Sequence, residues 1–562
     1  MAASRSNDSQ RAVSFDAQAR RARIAMTALF TQCFWMAQMS VSRADDHVSL
    51  LSPPGESTLT LEPPPLEKPS FRVQAALLQM GVLVGLGVGW YEWKIEINKV
   101  DFDFARSVSG QWRRLTTGAG HRFDDNERYL NIGHPPMGAM YYQTARAYGA
   151  GMGASYLFNI GTSTFWEAVV EHREVVSLND QIMTGIGGAP IGEALFRISD
   201  VFANGKPTVV NRTLALLTSP MRLGAWLSGE SIATSNRYDS HNLDASVFHR
   251  FQIAMGGLSG PRGTTQWAAL ARGDFEVITL PGYEESPLAA EVELGDPSDT
   301  LHSARAGWLR GGEMSRLVLT YAADRSQFRT FELFARTTLF GQFETHAPRT
   351  TSVTGWLPNQ RVFAAASAFE LAYNAMPGLI DFLSFVHVIG PTADFRWTRS
   401  AWSVRAEISA YGDFSMIRPM AIGASVVPAD WNAKSTLSGA DKEYYYGWGG
   451  TASARIGVDY QRWRVGACGT WSHIESIDGL DRHQNAYVSP TGVAHDAVVD
   501  DSHLTDDYLN ARIFVDSPIP FTSHLGVTVS GELIHRRGTW EAHQLRDQRS
   551  DRRLSLSLSY FL

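Results

Sequence analysis

Two cysteines in 562 residues, Cys33 and Cys468, exclude a disulfide framework and any cysteine-built zinc site. A basic surplus is missing as well: the formal charge is −7, so nothing in the chain courts nucleic acid. No nucleophilic triad, phosphate loop or zinc spacing is spelled out, which removes the familiar enzyme signatures. Long apolar runs are scarce. Beyond the first 50 residues the clearest is Val73 to Trp90, broken by Gln74 and Gln79. The mean hydropathy is slightly negative, yet this does not argue against a membrane location, because a barrel strand gives only alternate residues to lipid.

What is present is alternation. The last nine residues place Leu554, Leu556, Leu558, Tyr560 and Leu562 on one face and Ser555, Ser557 and Ser559 on the other. Trp402, Val404, Ala406, Ile408 and Ala410 likewise oppose Ser403, Arg405, Glu407, Ser409 and Tyr411. The pattern recurs from Trp448 to Tyr460, from Trp463 to Trp471 and from Leu525 to Leu533. Spans of about 10 residues with aromatics at their ends are what a tilted membrane strand requires. The ending resembles the C-terminal strand of bacterial outer-membrane barrels, with Leu562 where their usual terminal Phe would stand.

The fold class expected is α+β, a helical N-terminal domain followed by an antiparallel transmembrane β-barrel of about twelve strands. Arg20, Arg21 and Arg23 precede the apolar stretch Ile24 to Val41 and the small-x-small step Ser42-Arg43-Ala44, which predicts a signal peptide over 1–44. Six prolines between Pro53 and Pro69 predict a linker over 45–70. A helical domain is expected over 71–235 and the barrel over 246–562. Within the former, Pro135 and Pro136 suit the first turn of a helix. Gly81, Gly85 and Gly89 line one face of a helix expected to be buried in protein or to lie at the membrane surface. Gly185, Gly187, Gly188 and Gly192 either pack on that face or form a loop.

Between Phe123 and Glu193 the chain carries Asn131-Ile-Gly-His134-Pro135-Pro-Met-Gly138, then Tyr142 and Arg146. It continues with Ser163-Thr-Phe-Trp166-Glu167, Glu171, Ser177-Leu-Asn-Asp180 and Gly188-Ala-Pro-Ile-Gly192-Glu193. This series resembles a bacterial family classified as a domain of unknown function, found in proteins expected in the outer membrane, and the resemblance implies no activity. It is more distantly similar to the VanZ-like helical proteins, although Thr184 stands where their Asp-x-x-x-Asn step has Asn.

Glu167 and Glu171 are one helical turn apart and should share a face, with Trp166 beside the first. Two readings follow. In one, His134, Glu167, Glu171 and Asp180 form a polar cluster that binds a divalent cation or acts as general acid and base. In the other, Asn131, His134, Arg146, Trp166, Glu167, Glu171, Ser177, Asp180 and Glu193 form a buried structural network in which Arg146 neutralises one or both glutamates. No metal or cofactor is expected. The acidic run from His495 to Asp507 reads as a solvated loop. Inward Arg405, Arg455, Arg462, Arg464 and Arg512, with Glu407, Asp459 and Glu532, favour salt bridges inside the lumen over an ion-selective pore.

The function expected is that of an integral outer-membrane barrel whose helical domain sits at the periplasmic mouth or in the lumen, serving envelope structure, binding or transport. An enzyme acting on a lipid or cell-wall substrate through His134, Glu167, Glu171 and Asp180 is the alternative. The partners expected are outer-membrane lipids and the barrel assembly machinery, with no nucleic acid and an unknown ligand.

Overall fold

The structure, a computed structural model, describes residues 71–98, 108–116, 121–123, 128–171, 176–229, 238–259, 267–280, 303–309, 311–324, 328–347, 360–376, 381–399, 402–421, 444–477, 484–488, 494–498, 503–522, 524–541 and 544–562. The signal at 1–44 and the linker at 45–70 lie outside the described residues.

Twelve strands form the barrel. They are β1 (Phe248–Ser259), β2 (Trp267–Ile278), β3 in two pieces (Ser303–Leu309 and Met314–Ala323), β4 (Phe328–Ala347), β5 (Gln360–Met376) and β6 (Asp381–Arg399). The second half comprises β7 (Trp402–Ile417), β8 (Tyr445–Tyr460), β9 (Trp463–Ser476), β10 (Leu504–Pro518), β11 (Leu525–Trp540) and β12 (Leu545–Phe561). Each pairs antiparallel with the next, and β12 returns to β1 with Leu558 opposite Met255 and Phe561 opposite Gln252. The last strand thus closes on the first, and among the described residues the Ser303–Leu309 piece pairs with β4 alone. The expected helical region followed by a barrel of about twelve antiparallel strands is therefore the fold.

Strand parity sorts the side chains. Leu554, Leu556, Leu558 and Tyr560 are exposed on the outer wall, while Ser555, Ser557 and Ser559 are buried inside. Leu562 does not complete the row. It lies past the strand end, donates its N–H to the Phe251 carbonyl and packs on the core, because the terminus follows the hydrogen bonding of β1. Inward charges pair inside the lumen: Arg316 with Asp274 (2.5 Å) and Arg464 with Asp459 (2.7 Å) between neighbouring strands, and Arg405 with Glu276 (2.5 Å) and Arg336 with Glu407 and Asp394 between more distant ones. At both ends the inward side chains turn apolar. Phe248, Ile278, Leu309 and Phe343 cluster at one end, and Leu383, Ile417, Ile474 and Trp540 at the other. Asp506 and Asp507, expected in a solvated loop, begin β10 instead, where Asp506 is buried against Arg536 and Tyr445 and Asp507 meets His473.

The helices are α1 (Val73–Asn98), α2 (Val108–Thr116), α3 (Arg128–Ala147), α4 (Met152–Phe165), α5 (Gly187–Ala203), α6 (Val209–Thr218) and α7 (Arg222–Leu227). Wide π turns follow α4 at Trp166–Val170 and precede α5 at Gln181–Ile186. Pro135 and Pro136 lie inside α3 rather than in its first turn. Their missing N–H groups withdraw helical donors from the Asn131 and Ile132 carbonyls, and the turn before them is anchored instead through the Asn131 side chain.

The bundle does not sit at the mouth of the barrel or in its lumen. It rests on the outer wall. On β7, even-numbered residues face outward: Trp402 and Ile408 are 50% and 61% exposed, yet Phe414 and Met416 on the same face are fully buried. They share one core with Ile191, Ala194, Ile198 and Phe202 of α5 and with the outward Phe251, Val277, Leu371, Phe382 and Val386. The expectation failed because the apolar outward rows that lipid would cover are equally fit to receive helices.

Glycines set how closely the parts meet. A Cβ on Gly188 of α5 would fall 2.6 Å from the backbone of Gly138 on α3, so the two helices cross at their backbones. The expected partners, Gly81, Gly85 and Gly89, have nothing within 4 Å of theirs. Gly185 to Gly188 form the second π turn and the start of α5 rather than a loop. Of the Val73–Trp90 stretch only 11% is buried, so α1 is not buried in protein. It is held through Ala76, Met80 and Gln79, whose amide bonds the Met221 carbonyl (3.1 Å) and the Tyr148 hydroxyl (2.9 Å).

Candidate polar site at the bundle–barrel seam

Asn131 and His134 are three residues apart on α3 and share the face turned toward the wall. The Asn131 amide, fully buried, donates to the hydroxyls of Tyr444 and Tyr446, both at 3.1 Å, and its oxygen accepts from Asn179 at 3.1 Å. His134 Nδ1 stands 3.2 Å from Asp180 Oδ1; the imidazole side chain keeps 24% exposure, the carboxylate behind it 4%. Ser177 caps the helical turn that follows, its hydroxyl accepting from the Asp180 N–H at 3.2 Å and donating to Asn179 at 2.9 Å. Glu167, also buried, accepts the Ser177 N–H at 3.1 Å.

Glu167 and Glu171 do not share a face. The π turn at Trp166–Val170 needs more residues per revolution, so a four-residue step falls short of a full turn. Glu171 ends up at the helix boundary, accepting from Trp166 Nε1 at 2.7 Å.

Arg146 does not neutralise either glutamate. Its guanidinium grips Glu193 in two places, at 2.8 and 3.1 Å, where Arg197 (2.7 Å) and the Tyr142 hydroxyl (2.8 Å) also converge. Two helical repeats explain the choice: Tyr142 and Arg146 are four apart on α3, and Glu193 and Arg197 four apart on α5. This second cluster docks into the break in β3. Gly312 sits there with φ +83, and a Cβ on it would lie 2.1 Å from the Glu193 carboxylate, so only glycine serves both the backbone and the approach.

Of the sequence candidates, Asn131, His134, Ser177, Asp180 and Glu167 are therefore brought together. Glu171 with Trp166 flanks them, and Arg146 with Glu193 forms a separate center. Asn179, Tyr444 and Tyr446 were missed. A signal existed in Tyr444-Tyr445-Tyr446: the middle ring points inward to Asp506 at 2.8 Å, which sends its neighbours outward. Phe123, stacked on Phe414 at 5.7 Å, closes the seam beside them.

Residues 120–221 match the model of a family described as a domain of unknown function (DUF3943). No curated protein matches the chain. Solved structures similar to it include the outer membrane protease OmpT from Escherichia coli, at 8% identity and a TM-score of 0.16, covering 56% of this chain and 96% of that one. An outer membrane protein of Vibrio cholerae, also called OmpT, gives 9% identity and a TM-score of 0.15 over 56% and 97% of the two chains. Pseudomonas aeruginosa OccK8 (OprE) gives 8% and 0.16 over 56% and 98%. Likeness at this level is no basis for an activity, a substrate or a solute.

Proposed function

We propose that the chain is an integral protein of the bacterial outer membrane, with a signal peptide, a linker, a helical domain and a barrel in that order. In this reading the bundle lies beside the barrel in the same bilayer, and the seam between them holds the polar head of an envelope amphiphile. The coverage of the wall carries this reading. Outward rows that would otherwise meet lipid are sealed by α5, while the far side of the bundle presents Leu78, Val82 and Leu86 of α1, Leu157 of α4 and Val209 and Val210 of α6, all exposed. The bare wall and the exposed faces of these helices are thus both apolar. The contacts fit association without a hydrophobic drive, since Gly138 on Gly188 within the bundle and the Asn131 bonds to Tyr444 and Tyr446 between bundle and barrel are the small-residue and polar devices used inside membranes.

Single cysteines at positions 78, 157 and 558, in a chain with Cys33 and Cys468 replaced by serine, would carry spin labels for an accessibility measurement. All three should be quenched by oxygen dissolved in lipid and spared by an aqueous nickel chelate. Aqueous access at 78 and 157 with lipid access at 558 would place the bundle outside the bilayer and end this reading. For the head group, native mass spectrometry of protein extracted in mild detergent should find co-purifying lipid that Asn131→Ala and His134→Ala release.

A second reading, catalysis on such a head group, is favored by one observation: the partly exposed His134 stands beside the buried Asp180, its Nδ1 3.2 Å from the carboxylate, without a neutralising Arg146. Envelope lipid profiles from cells lacking the chain should then be restored by the parent and not by His134→Ala; restoration by both refutes catalysis.

A further inference from the structure

The seam lies outside the barrel, and a different observation lies within it. Two cavities of about 70 and 150 Å³ occupy the lumen, and Arg272, Arg455, Cys468 and Arg512 line both. Arg455, Cys468 and Arg512 are register partners across β8, β9 and β10, so two guanidiniums project from one rung into one space. The remaining arginines of the smaller cavity are committed: Arg316 to Asp274, Arg250 and Arg405 to Glu276, and Arg464 to Asp459. Arg455 and Arg512 have no carboxylate partner within 4.0 Å among the described residues, and Arg455 Nη1 and Arg512 Nε are buried without any acceptor. Among the described residues Arg272 bonds only the Thr320 hydroxyl, at 3.2 Å. Glu332, Glu370, Glu407 and Glu532 also line the larger cavity; Glu407 and Glu532 are the register partners of Arg455 and Arg512 yet stand beyond 4.0 Å of them, Glu407 being bound to Arg336 and Glu532 accepting from Asn510 at 3.0 Å.

Buried guanidinium donors without an acceptor are costly, and two of them left unbonded on one rung, facing a smaller cavity lined by seven arginines and three aspartates, leave a place for an anion. We propose that the lumen contains an oxyanion site, formed by Arg272, Arg455 and Arg512, that takes a phosphate- or sulfate-class ligand. Planar, forked donors converging from separate strands suit a multivalent oxyanion better than a halide. Space is ample, since a single water needs only about 10–15 Å³ by the same kind of measure. The apolar layers at both ends would hold the ion once the barrel has closed.

The test is refolding of the full chain into detergent with sodium phosphate, sodium sulfate or sodium chloride at matched ionic strength, followed by the temperature at which the heat-modifiable band is lost. Adding the anion before closure removes any question of entry. Phosphate and sulfate should raise the midpoint saturably by a few degrees over chloride. Arg455→Gln/Arg512→Gln should abolish that difference while still closing into a heat-modifiable barrel in chloride. Equal midpoints in the three salts, or a phosphate response kept by the double variant, would overturn the site. Should the double variant fail to fold, the parent titration and Arg455→Gln alone decide between the same outcomes.

Discussion

One strand, β7, holds both versions of the outer wall. Its first half leaves Trp402 and Ile408 bare; its second half buries Phe414 and Met416 under the bundle, although all four occupy the same face. Residue chemistry at these sites hardly differs between the two. The difference lies in polar atoms nearby: the covered wall includes the buried Ser384 and the hydroxyls of Tyr444 and Tyr446, which Asn131 satisfies. In lipid such groups would go unpaired. An apolar row thus says that water is excluded, and only its polar interruptions tell whether lipid or protein excludes it.

The strongest way to break this comparison is to place the same charge on each wall. Val386→Arg would push a cation into the packed seam, adding overpacking to an unpaired buried charge, at a cost of about 4 kcal/mol or more. Leu558→Arg on the bare wall should cost about 2–4 kcal/mol if it lies at the bilayer midplane, less if it can reach the interface. The readouts separate them: Val386→Arg should make the helical domain protease-sensitive while the band remains heat-modifiable, whereas Leu558→Arg should lower the folded yield of the barrel itself. A bundle that stays protected in Val386→Arg would mean that the helices do not dock there.

Next in size is the Glu193 center. Glu193→Ala leaves Arg146 and Arg197 buried together without their carboxylate, which should destabilise the bundle by about 3–5 kcal/mol. Urea titration followed by protease protection of the helical domain measures it. Loss of less than about 1 kcal/mol would show that water replaces the carboxylate.

These residues also mark how far the sequence could be read. The barrel was legible because period two survives any covering, and β12 could be matched to β1 from the ends of the pattern alone. Candidate polar residues were legible too, since their spacing on α3 and beside Ser177 is local. Their pairing was not. Whether Arg146 would reach Glu167 or Glu193 depends on the crossing of α3 with α5, and whether Glu167 and Glu171 share a face depends on a π turn; neither has a period-based signature. Tyr444 and Tyr446 lie more than 300 residues from Asn131 and join it only through docking.

A smaller effect sharpens the same contrast at the backbone. Gly188→Ala must part α3 from α5 and should cost about 1–3 kcal/mol, whereas Gly85→Ala, with nothing within 4 Å, should be neutral or stabilise α1 by up to about 1 kcal/mol. Thermal loss of bundle protection should therefore shift in opposite senses, and a matching loss in both would mean that α1 packs on something through that face.

The smallest effect concerns the hinge that leads from bundle to barrel. Asp239 accepts the backbone N–H groups of His241 and Leu243, both at 2.8 Å, and faces His249 Nε2 at 3.1 Å. Burial opposes its ionisation, but the His249 hydrogen bond and those two N–H donors hold the carboxyl below its ordinary value. A carboxyl whose folded-state pKa is depressed lends stability that is complete above the unfolded pKa and is lost as pH falls through the folded one. Bundle docking should accordingly be flat from neutral pH down to the ordinary carboxylate range and weaken below it, with Asp239→Asn weaker throughout and less dependent on acid. Protease protection of the bundle, scanned downward in pH with the barrel's heat-modifiable band as internal control, reads this directly. An Asp239→Asn profile that declines in parallel with the parent would assign the acid response to other carboxylates and leave the hinge without a part in it.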